Sequence, residues 1–265
     1  AARGAVVVDN SSQWRMEPGV PLVVAGVNDA DAAEHEGIIA NPNCSTMQLM
    51  PLFKALRDTA GLKRVIVDTY QAVSGSGNKA VVELQDQVKA YAAGAELQAS
   101  VYPYPIAFNV LPHIDVFLDN GYTKEEWTVP IETRKCLHLP DLPISCTAVR
   151  VPVVTSHSEA VHVELEGSMT PDQARELFAG VPGVIVKDDP ANNGYPLPTD
   201  GAGVDEVFVG RIRADASLPP GKGLAFWVVS DNLRKGAATN AVEIAEVVAR
   251  NGWLKKASER AVGAV

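Results

Sequence analysis

Cys44 stands in the run Asn41-Pro42-Asn43-Cys44-Ser45-Thr46, between a short apolar segment and an amphipathic one. That context predicts a thiol at the first turn of a helix. Unpaired helix N–H groups and the positive end of the macrodipole favour thiolate there, and so predict a pKa below the usual value of about 8.5. The same N–H groups, with the Asn43 amide, are placed to hold the oxyanion of a tetrahedral intermediate. The expected chemistry is acyl transfer through a thioester. The bland alternative is a small buried residue that fills space. The polar neighbours Asn41, Asn43, Ser45 and Thr46 weigh against it.

A second group lies in Arg150-Val151-Pro152-Val153-Val154-Thr155-Ser156-His157-Ser158-Glu159. Ile144, Cys146, Ala148 and Arg150 alternate onto one strand face, and an Arg on a mostly apolar face needs an anion. That anion is either a structural carboxylate or a substrate carboxylate held bidentately. His157 falls in the connection between two strands, where a solvated spectator is common. Beside an activated Cys it is the candidate acid/base. Gln71 ends a strand ahead of Ser74-Gly75-Ser76-Gly77, a turn whose N–H groups could approach a phosphate or a nicotinamide. A plain turn explains that run equally well. Arg15, on a loop after a strand, is an anion ligand or a solvated cation. His162 reads as a surface residue, and Cys136 and Cys146 as packing.

The elements that must carry these residues read as α/β. In the first 43 residues, Ala5–Val8, Pro21–Val24 and Gly37–Ala40 are short apolar strands suited to a covered parallel sheet. Cys44–Arg57 is a helix that Pro51 should kink. Lys63–Gln71 is a strand and Lys79–Ala93 a helix. Thr123 to Glu126 has capping-box spacing, and Pro130 should interrupt the helix it opens. Ile144–Val154, Ala160–Glu166, Gly183–Lys187, Glu206–Arg213 and Gly223–Ser230 are strands. Thr170-Pro171 starts a short helix, and a last helix runs from about Arg234 to Asn251. The 265 residues are 46% hydrophobic, with net charge −9. That balance argues against nucleic acid or an anionic membrane as partner, and no apolar run reaches membrane-span length. Three cysteines and no signal peptide suggest a reducing cytoplasm, and no spacing suggests a metal site.

Taken together, Val7 to Ser12, Asn41 to Thr46, Pro105-Ile106-Ala107-Phe108-Asn109, Arg150 to Val153 with His157-Ser158-Glu159, Val209-Gly210-Arg211-Ile212-Arg213 and Asp231 to Ala238 resemble the aspartate-β-semialdehyde dehydrogenase family. The resemblance spans nearly the whole chain. It implies an incomplete Rossmann-type dinucleotide-binding domain plus an inserted α+β catalytic and dimerisation domain, like that of glyceraldehyde-3-phosphate dehydrogenase. The implied division is 1–43 and 232–265 for the dinucleotide-binding part and 44–231 for the catalytic part. It also implies NADPH-dependent reduction of β-aspartyl phosphate to aspartate semialdehyde with release of phosphate, by a cytoplasmic homodimer without a metal. Cys44 then matches the nucleophile, His157 the acid/base, and Gln71 a substrate-orienting residue, with Asn43 beside the thiol. Arg150 matches the α-carboxylate ligand, Glu125 the amine ligand and Arg15 a phosphate ligand. Ser74, Gly75, Gly77 and Asn232 fall toward the cofactor.

Three departures accompany the resemblance. The opening residues read as a strand reached mid-fold, so an earlier segment with a glycine-rich phosphate-binding turn is expected. Thr128 stands where many relatives place a phosphate-holding Lys, and Gly26 where they usually place Glu. Competing readings are N-acetyl-glutamyl-phosphate reductase or phosphorylating glyceraldehyde dehydrogenase, which share the Cys/His chemistry, and a non-catalytic oligomerisation subunit. A scaffold has no need of Cys44, Gln71, Glu125, Arg150 and His157 together.

Overall fold

Eight strands form two sheets in a computed structural model that describes residues 5–255. The ends of the expected outer segments, 1–4 and 256–265, lie outside these residues. β1 (Val7–Asp9) and β2 (Ile38–Ala40) pair in parallel. The larger sheet contains β3 (Leu62–Gln71), β4 (Ile144–Arg150), β5 (His157–Leu165), β6 (Val184–Val186), β7 (Val207–Ala214) and β8 (Gly223–Ser230), in the order β4-β3-β5-β8-β7-β6. The β3–β4 and β6–β7 pairs are parallel, and the other three pairs are antiparallel.

Alternation decides which face each side chain takes. Along β3, Val65, Val67, Thr69 and Gln71 are buried, while Arg64 and Tyr70 face out. The inner face is covered by α1 (Cys44–Ala60), α3 (Lys124–Leu137) and α4 (Pro171–Ala179). Met47, Leu49, Met50, Leu52, Phe53 and Leu56 of α1 are fully buried there, each contributing about 1.5–3 kcal/mol of hydrophobic stabilisation. Phe178 of α4 meets Phe226 of β8 edge-on at 5.5 Å. The helix α2 (Asn78–Ala92) packs with residues 106–111 as a small separate cluster. A short helix, α5 (Pro198–Gly201), lies against β8.

The last helix, α6 (Asn240–Arg250), packs against the small sheet. Ile244 and Val248 pack on Val23, Ala32 and Ile39. Asn240 ties the two ends of the chain together: its Nδ2 donates to Val23 O and Asn41 Oδ1, and its Oδ1 accepts from the Ala25 N–H.

Several expected elements differ. α3 runs unbroken through Pro130 rather than being interrupted there, and α1 also contains a proline, Pro51. Each proline removes one helix N–H and crowds the previous turn, at about 3 kcal/mol. Both helices offset that cost by burying a broad face. Residues 21–24 make only a bridge, Leu22 to Ala40. β4 stops at Arg150, four residues early, because Pro152 has no N–H for a ladder. The last helix is two pieces, a π-helical turn over Arg234–Thr239 followed by α6.

Candidate active site

The strand ends align the candidate residues in a row. Gln71 pairs with Arg150 across β3–β4, and His157 with Ser230 across β5–β8. All four side chains are buried on the inner face. His157 is therefore the first residue of β5, not part of a loop. Ser156 ahead of it has φ +78°, a strained conformation for a residue with a side chain. Arg150 donates from Nη1 to Ala72 O at 2.7 Å, its Nε is buried without a partner, and the guanidinium faces the Tyr102 ring at 6.0 Å. Among the described residues, no carboxylate pairs with it.

Above this row sits the first turn of α1. Cys44 is its first residue and Asn43 its N-cap, with Oδ1 accepting the Ser45 N–H at 2.8 Å. The rest of Asn43 is held by α3. Its Nδ2 donates to both Glu125 oxygens (3.1 and 3.0 Å), and its N–H donates to Glu132 Oε2 at 2.7 Å. Glu125 and Glu132 are two helical turns apart and share a face. Gln71 Nε2 donates to Ser45 Oγ and to Glu125 Oε1, both at 2.9 Å. Arg15 ion-pairs with Glu132 at 3.1 Å and donates to Asn10 O. The Asn43 amide expected at an oxyanion is thus committed to Glu125. Glu132 was not singled out in the sequence; its spacing of seven from Glu125 was the available signal.

The pull of the helix N-terminus on the half-buried Cys44 thiol meets opposition here. Burial, then the Glu125 carboxylate, push the Cys44 thiol up to about 12, against the opposing pull of Arg150 and Arg15. Helix position alone does not decide a thiol that is desolvated beside a carboxylate. His157 moves the other way: burial and then Arg150 hold it well below 6.5, so it is neutral. Glu159, fully buried with both oxygens unpartnered, is pushed well above the usual carboxylate range by burial.

The Ser74 to Gly77 turn differs from an open amide nest. The Ser74, Gly75 and Gly77 N–H groups donate to Val154 O, Ala72 O and Ser74 O. Asn232 is buried, exchanging hydrogen bonds with Ser74 Oγ and accepting the Ser156 N–H at 3.0 Å. What the turn offers is space. Asn10, Arg15, Asn41, Asn43, Cys44, Gly75, Asn232 and Gly236 line one cleft. A Cβ on Gly236 would sit 2.8 Å from Cys44 Cβ, and one on Gly75 3.0 Å from Arg150 Nη1. Thr128 Oγ1 turns back to donate to Lys124 O at 2.8 Å. Gly26 has φ +79°, which gives the departure there a local cause in the backbone. His162 bonds Asp215 at the surface, and Cys136 and Cys146 are buried, as expected. No group of three or more His, Cys, Asp or Glu capable of holding a metal occurs among the described residues. No helix among them is long and apolar enough to cross a membrane.

Residues 50–235 match the family of semialdehyde dehydrogenase dimerisation domains. The chain is 54% identical over 257 residues to aspartate-semialdehyde dehydrogenase of Aquifex aeolicus, covering 96% of this chain and 75% of the relative. The chain belongs to the aspartate-semialdehyde dehydrogenase family. The Bacillus subtilis member of this family is 50% identical, covering 92% and 72%. Aspartate semialdehyde dehydrogenase II of Vibrio cholerae, solved in complex with ASA, superposes with a TM-score of 0.91 at 42% identity, covering 95% and 74%. The Candida albicans enzyme, solved with NADP, shares the fold (TM-score 0.69, 23% identity, covering 94% and 72%). Family membership makes the chain an oxidoreductase of amino-acid biosynthesis.

Proposed function

We propose that this chain carries the acyl-transfer centre of an NADPH-dependent reduction of β-aspartyl phosphate to aspartate semialdehyde, with Cys44 as the thioester-forming nucleophile. The observation that carries the reading is the convergence of Cys44, Gln71, Glu125, Arg150 and His157 on one buried row and one helix mouth. Arg150 is a buried cation without a carboxylate, and so suits the substrate α-carboxylate. Glu125 suits the ammonium. An ammonium there would offset the carboxylate charge that raises the Cys44 thiol, so binding would activate the nucleophile. Arg15, held over Cys44 by Glu132, suits the phosphate. Gln71 and Asn43 fix Glu125, and His157 is the acid/base.

NADPH, when bound, supplies the hydride. Gly75 and Gly236 keep a slot beside Cys44 that a Cβ would close, which fits a flat ring. Asn232 and Ser74 would support that slot through their mutual hydrogen bonds, with Gly77 ending the turn. The division into 1–43 with 232–265, and 44–231, follows the return of α6 to the small sheet. Ile66, Tyr70 and Val149 on the outer sheet face, with Trp227 tilted against Tyr70 at 5.3 Å, suit coverage by a second copy in a homodimer. The free Cys44, Cys136 and Cys146 suit a cytoplasmic enzyme.

Assay of the complete protein with NADP, phosphate and each of three aldehydes tests this reading. Oxidation of aspartate semialdehyde should exceed that of N-acetylglutamate semialdehyde and of glyceraldehyde 3-phosphate by at least about tenfold in kcat/KM, the worth of about 1.4 kcal/mol. Preference for either alternative would overturn it.

A further inference from the structure

Arg15 sits between β1 and the bridge at Leu22, on a stretch of bends and turns without a regular element of its own. A long cationic side chain on such a loop has no fixed place unless another element supplies one. α3 supplies it twice. Glu132 Oε1 accepts from Arg15 Nη1 at 3.1 Å. One turn on, on the same side of the helix, Lys135 Nζ donates to Arg15 O at 2.7 Å and to Val20 O at 2.9 Å. One ammonium thus ties both ends of a segment that turns back on itself. Within it the Glu17 N–H donates to Trp14 O, the Val20 N–H donates to Glu17 O, and Gly19 has φ +77°. Trp14 and Val20 pack on the core beside it. Lys135 lies behind this loop, in a groove with Met16, Glu17 and Val20, whereas Arg15 lines the Cys44 cleft.

We propose that Lys135 is a positioning residue for the phosphate: by holding the Arg15 carbonyl, it fixes how far the Arg15 guanidinium reaches into the Cys44 cleft. This rests on the thioester reading above, with Arg15 as its phosphate ligand. Arg15 is held from three sides. Its Nη1 donates to Glu132, its Nη2 donates to Asn10 O at 2.9 Å, and its backbone accepts from Lys135. Its Nε is buried without a partner. Glu132 also accepts the N–H of Asn43, next to Cys44, so α3 places the cation and the nucleophile from one rigid element. Lys135 grips backbone carbonyls, so it governs where Arg15 stands and not its charge. A misplacement of about 1 Å can cost a reaction step on the order of 10²-fold. The bond to Glu132, which remains, limits the drift. In the step that Arg15 serves, a phosphate oxygen attacks the thioester carbonyl. The C–O bond forms, the C–S bond breaks, and the electron pair stays on the Cys44 sulfur.

Time-resolved intact-mass measurement on the complete protein separates the two half-reactions. Aspartate semialdehyde and NADP without phosphate form the Cys44 adduct, and added phosphate discharges it. Lys135→Met keeps the apolar stem and removes the donor. In it, discharge at subsaturating phosphate should slow about tenfold while adduct formation stays within about twofold of the parent. Parental discharge, or equal slowing of both steps, would overturn the proposal. Adding Lys135→Met to Arg15→Met should change discharge by less than about twofold, because Lys135 acts through that side chain. A further loss of about tenfold in the double variant would show an independent role and overturn the proposal. Lys135→Gln, with amide donors on a shorter stem, covers the case in which the Met variant does not fold. It should slow discharge by about two- to fivefold and spare adduct formation; parental discharge there would also count against the proposal. Failure of the underlying reading looks different. A parent protein that forms no adduct on Cys44 removes the thioester reading, and parental discharge in Arg15→Met removes Arg15 as the phosphate ligand.

Discussion

The two sides of the candidate site, the helical wall and the strand wall, differ in how their functional side chains are hydrogen-bonded. On the helical wall, Asn43, Glu125, Glu132, Gln71 and Arg15 hold one another through a linked set of bonds. On the strand wall, Arg150 Nε, His157 Nε2 and both Glu159 oxygens are buried without partners. Unsatisfied buried polar atoms are rare and costly in native folds. Arg15 Nε, Thr46 Oγ1, Gln48 Nε2 and Thr133 Oγ1 on the helical side are also without partners. What distinguishes the strand side is that Arg150 and His157, which the proposed function assigns to the reaction, keep free nitrogens, while the Glu125 and Arg15 groups are already bonded within the protein.

That contrast separates stability effects from binding effects. The largest expected change is Glu132→Ala, which leaves Arg15 without its buried carboxylate and frees the Asn43 N–H. It should destabilise the protein by about 3–5 kcal/mol, the usual consequence of removing one partner of a buried pair. Urea unfolding measures it, and a loss under about 1 kcal/mol would deny the helical wall its positioning role. Next is Arg150→Lys on the other wall. Losing a planar charge-assisted contact should raise KM for aspartate semialdehyde by the equivalent of about 1.5–3 kcal/mol, with little change in stability. A shift in stability without a shift in KM would reverse the assignment.

Smaller effects test the edges. Thr128→Lys should lower KM for phosphate by up to about tenfold, or about 1.4 kcal/mol. An unchanged KM would mean that Arg15 alone meets the phosphate. The smallest is away from the site, at Asp215. Burial opposes its ionisation, but the Ser217 hydroxyl and the His162 ring outweigh it and hold Asp215 at about 2. A depressed acid stabilises the fold fully above its unfolded pKa of about 3.9 and loses that effect as pH falls through its folded value. Asp215→Asn should therefore be less stable than the parent at pH 5, with the gap closing toward pH 2. A gap that widens would refute the sign.

Where local rules and burial agreed, the sequence was a good guide. The start of α1 at Cys44, the Thr123 capping box and the inner-face alternation ending at Arg150 were all legible from residue type and spacing. Where tertiary packing opposed a local rule, packing prevailed. Pro130 did not interrupt its helix, and the pull of the helix N-terminus on the Cys44 thiol is opposed by burial and Glu125. The roles of Glu132 and the Ala72 peptide depend on contacts 89 and 85 residues away in the chain, and for Glu132 only its spacing of seven from Glu125 hinted at a shared face. Nor does any sequence rule announce the π-helical turn that brings Gly236 against Cys44.

The central claim is that the helical wall exists to present Cys44 to an acyl group held by the strand wall. Intact-mass analysis tests it most directly, with the complete protein mixed with aspartate semialdehyde and NADP but no phosphate. The account predicts an aspartyl adduct that maps to the Cys44 peptide, disappears on adding phosphate and is absent in Cys44→Ser. An adduct on another residue, or turnover of Cys44→Ser close to that of the parent, would contradict it.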